Sequence, residues 1–138
     1  VLFNRFLHPD IDIESMAVTS ASPLSSPKEA TRALRWVGIL SPEVRCDLTA
    51  ATGIYDAEGA IKQLLAGAST VQVASALIKH GPTQLASMNQ GLREWMSQKG
   101  FTSIDDFRGL CNAKESKMGA AYERVQYMQL NFGPKESE

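Results

Sequence analysis

"DLTAATGIYDAEGAIKQLLAGASTVQVASAL", residues 47–77, is the stretch whose reading decides the fold. Two short apolar runs break into small residues, Ala51-Thr52-Gly53 and Ala74-Ser75-Ala76, and an amphipathic segment lies between them. Asp56 is placed to cap a helix over "AEGAIKQLLA", with Ala60, Ile61, Leu64 and Leu65 as its apolar stripe. Gly67 is placed to stop that helix in the left-handed conformation. Strand, helix and strand joined this tightly imply a parallel pair with a right-handed crossover. The small residues at both strand ends would let a ligand approach the backbone, or let a helix pack closely on a strand. The local sequence leaves both open.

Working outward, "VLFNRF" (residues 1–6) reads as an apolar strand, followed by a polar loop that carries short extended pieces at most. Ser26, Pro27 and Glu29 read as a helix start: a cap, a proline at the first helical position and a capping-box acid. The helix runs through "EATRALRWVGIL", with Ala30, Leu34, Val37 and Leu40 on one face, and Ser41-Pro42 ends it. "VRCDLTA" reads as the next strand, with Cys46 as a small buried hydrophobe, and "STVQVA" as the third. A short helix, "ALIKH", precedes Gly81-Pro82. A longer one, "TQLASMNQGLREWMSQK", ends at Gly100 with Lys99 favourable at its C-terminus. Ser103 and Asp106 open a small helix. "AAYERVQYMQLNF" reads as a last helix, with Tyr122, Val125 and Met128 or Gln129 near one face.

Alternating strands and helices define an α/β fold whose apolar strands suit a sheet covered on both faces. An open dinucleotide-binding sheet would need a glycine-rich turn after its first strand, and Asn4-Arg5-Phe6-Leu7 cannot supply one. A (β/α)8 barrel makes a different demand. Its common phosphate site lies at the loops after strands seven and eight, helped by a short extra helix. Two consecutive small-residue strand ends, the second followed by a short helix, match that demand. A barrel takes roughly 250 residues, so this chain is expected to be the C-terminal portion of one, with about three parallel strands and their covering helices. Residues 1–109 would form the barrel part and residues 110–138 a helical tail.

The 138 residues are 43% hydrophobic with a net charge of −1, and show none of the basic clustering of a nucleic-acid binder. No apolar run approaches the ~20 residues that span a bilayer, and "VLFNRF" does not resemble a secretory leader. Cys46 and Cys111 are too isolated for a disulfide framework or a zinc site, and read as reduced thiols of a cytoplasmic protein. Asp10, Asp12 and Glu14 read as a solvated loop edge, not a metal site. His8 lies in a loop, His80 at a helix end, and Trp36 and Trp95 read as core or interface anchors.

"VLFNRFLHPDIDIE", the 47–77 stretch, "GFTSIDDFRG" and "AAYERVQYM" together resemble the C-terminal part of the dihydroorotate dehydrogenase family, and the resemblance spans nearly the whole chain. It implies an FMN-dependent oxidoreductase on a (β/α)8 barrel, oxidising dihydroorotate or a related dihydropyrimidine to orotate in pyrimidine biosynthesis. It implies FMN phosphate contacts at Ala51, Thr52 and Gly53, then at Ala74 and Ser75. Many relatives carry Gly-Gly where this chain has Thr52-Gly53, and the hydroxyls of Thr52 and Ser75 are expected to serve as donors. Asn4 falls where the family brings an Asn to the pyrimidine or flavin, though it also suits a loop cap. Arg5 suits a substrate carboxylate or a structural salt bridge equally well. The family's general base and flavin-binding Lys match no residue here, so this chain alone is expected to be inactive. The complete protein is expected to be a homo-oligomer with a small-molecule substrate and no nucleic-acid or membrane partner. A non-redox, phosphate-binding barrel fragment is the alternative.

Overall fold

A computed structural model describes residues 1–5, 9–20, 22–117 and Tyr122. After the N-terminal segment come β1 (Pro9–Asp12) and β2 (Ala17–Ser20), then a 3-10 turn over Pro27–Glu29 that leads into α1 (Ala30–Leu40). β3 (Thr49–Ala50), α2 (Ala57–Ala66), β4 (Thr70–Val71), α3 (Ser75–His80) and α4 (Thr83–Lys99) follow, with a last 3-10 turn at Ile104–Asp106.

The start of α1 rests on the expected cap. Ser26 donates its backbone N–H to Glu29 Oε1 at 2.7 Å, and the Glu29 N–H reaches the Ser26 carbonyl. α2 is capped at both ends as its residues dictate: Asp56 Oδ1 accepts from the Gly59 N–H at 2.7 Å, and Gly67 stops the helix at φ 111°. Its buried side chains are Ile61, Gln63, Leu64 and Ala66, while Ala60 and Leu65 are half-buried. Gln63 inside that stripe departs from the expected apolar pattern. On α1 the buried face is Ala33, Val37 and Gly38. Trp36 is exposed and anchors no core, whereas Trp95 packs edge-on against Phe107 at 5.0 Å and beside Phe101.

The three expected parallel strands appear as a shorter ladder. β3 pairs with β4 in parallel, and Leu2 forms a single parallel bridge to Ala50 on the other side of β3. The Leu2 N–H donates to the Thr49 carbonyl, the Ala51 N–H to Leu2, and the Gln72 N–H to Ala50. The segment order is therefore residues 1–5, β3, β4, as consecutive parallel strands require. "VRCDLTA" becomes strand only at its end, because the Val44 N–H returns to the Leu40 carbonyl and keeps residues 41–44 in the turn that closes α1. Cys46 is consequently exposed and not the buried hydrophobe expected.

The first polar loop holds an antiparallel hairpin of β1 and β2, with Ile11 opposite Val18. Asp12 Oδ1 accepts from the N–H groups of Glu14 and Ser15 and shapes its turn. Behind the parallel ladder, Val37, Ala50, Ile54, Ala66, Ala68 and Met88 form the buried core, flanked by Leu2, Leu34 and Val71. α2 packs against both α1 and α4. The segment after α4 is stitched back by the Cys111 N–H to Leu65 and the Ala113 N–H to Gly38. Tyr122 donates its hydroxyl to the Cys111 carbonyl at 2.6 Å, and its burial pushes the phenol pKa up. Among the described residues no helix is long and apolar enough to cross a membrane. His8, Val125, Met128 and Gln129 lie outside the described residues.

Candidate functional site

Both small-residue strand ends open onto one cavity of about 720 Å³, within the usual range for small-molecule sites. Asn4, Ala51, Thr52, Gly53, Ala74 and Ser75 all line it, together with Arg5, Ser25, Gln72 and Ile78. The parallel ladder explains this convergence. Residues 1–5, β3 and β4 run side by side in one direction, so the residues at their C-terminal ends share one rim.

Gly53 and Thr52 both take left-handed backbone conformations, at φ 79° and φ 76°. Glycine adopts this freely, but a β-branched residue there is strained by about 1–3 kcal/mol. A glycine at either position would carry no such strain. In this chain the strained turn is tied down by the Thr52 hydroxyl, which donates to the Phe3 carbonyl at 2.8 Å. The proton expected to serve a ligand is thus used to pin the N-terminal segment. Gly53 has a second constraint. A Cβ there would collide with the backbone nitrogen of Ala30 and lie 2.8 Å from the Ser26 carbonyl oxygen. The close approach read from its sequence is, at least in part, an approach to the start of α1.

Ser75 keeps a hydroxyl on the cavity. Its Oγ accepts from the Ser25 backbone N–H at 2.9 Å and lies 2.9 Å from Ser25 Oγ. Ser25, only 5% exposed, also accepts the Gly53 N–H on its Oγ at 3.3 Å. The Tyr55 hydroxyl donates to the Ser25 carbonyl. Sequence reading missed Ser25, since "PLSSP" signals a loop and nothing local reveals bonds to residues 28 and 50 positions away.

Asn4 is exposed, and its Oδ1 accepts the N–H of Arg5 at 2.9 Å. The amide oxygen therefore caps locally, and the amide NH2 adds two further donors at a residue that lines the cavity. Arg5 takes the structural role: its Nε donates to Glu29 Oε2 at 2.9 Å and its guanidinium reaches the Ser22 carbonyl. Burial works to raise the Glu29 pKa, but the Ser26 N–H and the Arg5 guanidinium outweigh it and hold the carboxyl below its ordinary value. His80 ends α3 and meets Tyr55 edge-on at 6.3 Å, away from the cavity lining. Among the described residues no group of three or more His, Cys, Asp and Glu could hold a metal ion.

FMN is the group the resemblance implies, and the donor set fits its phosphate end in part. Ser75 offers a hydroxyl on a rim of small residues, but Arg5, the single ionisable side chain among the described residues of the lining, is already paired. The anion would be met by neutral donors.

Comparison with known proteins supplies an independent line. The family model for dihydroorotate dehydrogenase matches residues 3–96, a span that contains every residue of the cavity from Phe3 onward. The fumarate-type dihydroorotate dehydrogenase of Trypanosoma brucei brucei is 47% identical over 57 residues, 41% of this chain and 18% of the relative. The quinone-type enzyme of Haloarcula marismortui is 33% identical over 90 residues, 65% of this chain and 24% of the relative. A crystal structure of the Eimeria tenella enzyme, in complex with ferulenol, superposes with a TM-score of 0.56 at 25% identity, covering 70% of this chain and 26% of that one. The chain spans about a fifth to a quarter of the length of these relatives. With two thirds of its residues inside the family match, the chain belongs to the dihydroorotate dehydrogenase family.

Proposed function

We propose that the complete protein is an FMN-dependent oxidoreductase that oxidises dihydroorotate to orotate, or a related dihydropyrimidine to the corresponding pyrimidine. In this reading the chain is the C-terminal portion of a (β/α)8 barrel and carries the FMN phosphate site at Ala51, Thr52, Gly53, Ala74 and Ser75. The observation that carries it is the convergence of these residues with Asn4 on one cavity, at the C-terminal rim of parallel segments. Barrel enzymes place their sites at that rim. Family membership supports the same chemistry.

FMN, when bound, supplies the hydride chemistry, and the protein supplies binding, orientation and electrostatics. Ser75 would donate its hydroxyl to the phosphate, and Thr52 and Gly53 would bring the backbone close beside it. Asn4 would present its amide to the ring edge of pyrimidine or flavin. Arg5 would act at one remove, holding residues 1–5 against the Ser22 carbonyl and Glu29. Among the described residues the cavity lining has no ionisable side chain besides Arg5, and a guanidinium cannot serve as a base at neutral pH. The proton acceptor for the substrate is therefore assigned to the remainder of the complete protein.

The test is to purify the complete protein, release any bound cofactor with acid and identify it. Released FMN supports the reading. A colourless protein that binds phosphate-bearing ligands but no flavin would favour a non-redox barrel.

A further inference from the structure

Ser25 makes more hydrogen bonds than a loop residue needs, and three of them tie together the two strand ends of the candidate phosphate site. Its backbone N–H and its hydroxyl both meet Ser75 Oγ at 2.9 Å, while its own Oγ accepts the Gly53 N–H. The direction of the hydroxyl–hydroxyl bond follows from burial. Ser25 is 5% exposed, and a buried O–H with no acceptor is costly. Among the described residues Ser75 Oγ is the acceptor within its reach. Ser25 therefore gives its proton to Ser75, and Ser75, accepting twice, has its own proton left to donate. Ser75 lines the cavity, so a ligand there is an available acceptor for that proton.

We propose that Ser25 is a positioning residue for a phosphate monoester: it fixes the Ser75 hydroxyl as a donor turned into the cavity and holds that hydroxyl in register with the Gly53 turn. The proposal rests on the phosphate reading given above, and adds to it a residue that would act through Ser75 instead of touching the ligand. Preorganisation is the physical content. A free serine hydroxyl rotates among three wells and can accept as easily as donate. One whose acceptor capacity is filled by two fixed donors can only donate, so an anion meets it without reorienting it. The Tyr55 hydroxyl on the Ser25 carbonyl keeps the relay from swinging away with its loop.

The test compares FMN with riboflavin, which shares the ring and lacks the phosphate. Dissociation constants for both are measured on the complete protein and on Ser25→Ala, Ser75→Ala and the double variant. Ser25→Ala should weaken FMN about fivefold, the loss expected for one neutral hydrogen bond, and leave riboflavin nearly unchanged. The double variant should lose clearly less than the sum of the two single losses, because Ser25 acts chiefly through Ser75. If Ser25→Ala does not fold, Ser25→Cys keeps the volume with a poor donor, and its FMN preference should fall in the same way. Equal weakening of both ligands, an unchanged FMN constant, or additive losses in the double variant would each overturn the proposal. A parent protein with no preference for FMN over riboflavin would instead overturn the phosphate site itself, and the role of Ser25 with it.

Discussion

Replacing Gly53 with alanine should damage the fold before it affects any ligand, and the size of the effect can be worked from the structure. The residue sits at φ 79°, where an L-residue with a Cβ loses roughly 1–2 kcal/mol. The added carbon would also fall against the Ala30 backbone nitrogen, 2.8 Å from the Ser26 oxygen and 3.0 Å from Ala30 Cα. These are backbone atoms held by the turn that opens α1, so no side chain can rotate away. Overpacking of this kind costs about 1–3 kcal/mol, giving a total of about 2–5 kcal/mol. For a domain of 150–250 residues each kcal/mol lowers Tm by about 2–4 °C, so thermal unfolding of the flavin-free protein should move down by roughly 4–20 °C. Scanning calorimetry of the flavin-free Gly53→Ala protein provides the measurement. A Tm within 1–2 °C of the parent, on the order of experimental error beside that shift, would refute the steric argument. The glycine would then serve the ligand alone.

Four further outcomes follow from the same geometry. The Glu29 carboxyl is held below its ordinary value of 4.5 in the folded protein, so its contribution is full above that value and is lost as pH falls through the depressed folded-state pKa. Glu29→Gln should therefore flatten the acid limb of a stability–pH profile, and a parallel shift at all pH values would contradict the coupling to Ser26 and Arg5. Gln63 is 1% exposed, with its Nε2 on the Ala30 carbonyl and its Oε1 unpartnered among the described residues. Gln63→Met gives up one bond and one orphan, and should change unfolding free energy by less than ~1.5 kcal/mol in urea titration. Asn4→Ala should lower turnover or substrate affinity while Tm stays put, since the side chain is exposed and makes one local bond; lost stability with normal kinetics would leave it a capping residue. Residues 1–138 expressed alone, assayed with dihydroorotate, added FMN and an acceptor dye, should show no turnover, because among the described residues no base lines the cavity.

What the sequence made legible was local. The Ser26–Glu29 box, the Asp56 cap and the Gly67 stop each depend on residues within four positions, and each forms as the pattern indicates. The parallel order was readable because α2 separates two apolar runs by too little chain for any other crossover. Strand length was not readable. β3 and β4 are two residues each, since hydrogen-bond partners across the sheet, and not apolar content, decide where a ladder ends. The 9–20 hairpin was legible only as short extended pieces in a polar loop and not as a pair, and its apolar side chains Ile11, Ile13 and Val18 lie exposed. Within the site, small residues identified the rim. The duties of their polar neighbours depended on tertiary contacts: Thr52 turned inward to Phe3, Arg5 closed onto Glu29, and Ser25 bonded across fifty positions to Ser75.

The most direct test of the central claim is an anaerobic titration of the complete protein with dihydroorotate, followed by its flavin absorbance. The account predicts that bound FMN is bleached in proportion to the dihydroorotate added and that orotate forms in equal amount. A flavin that stays oxidised in excess dihydroorotate and in related dihydropyrimidines, or a protein that holds no flavin, would contradict it.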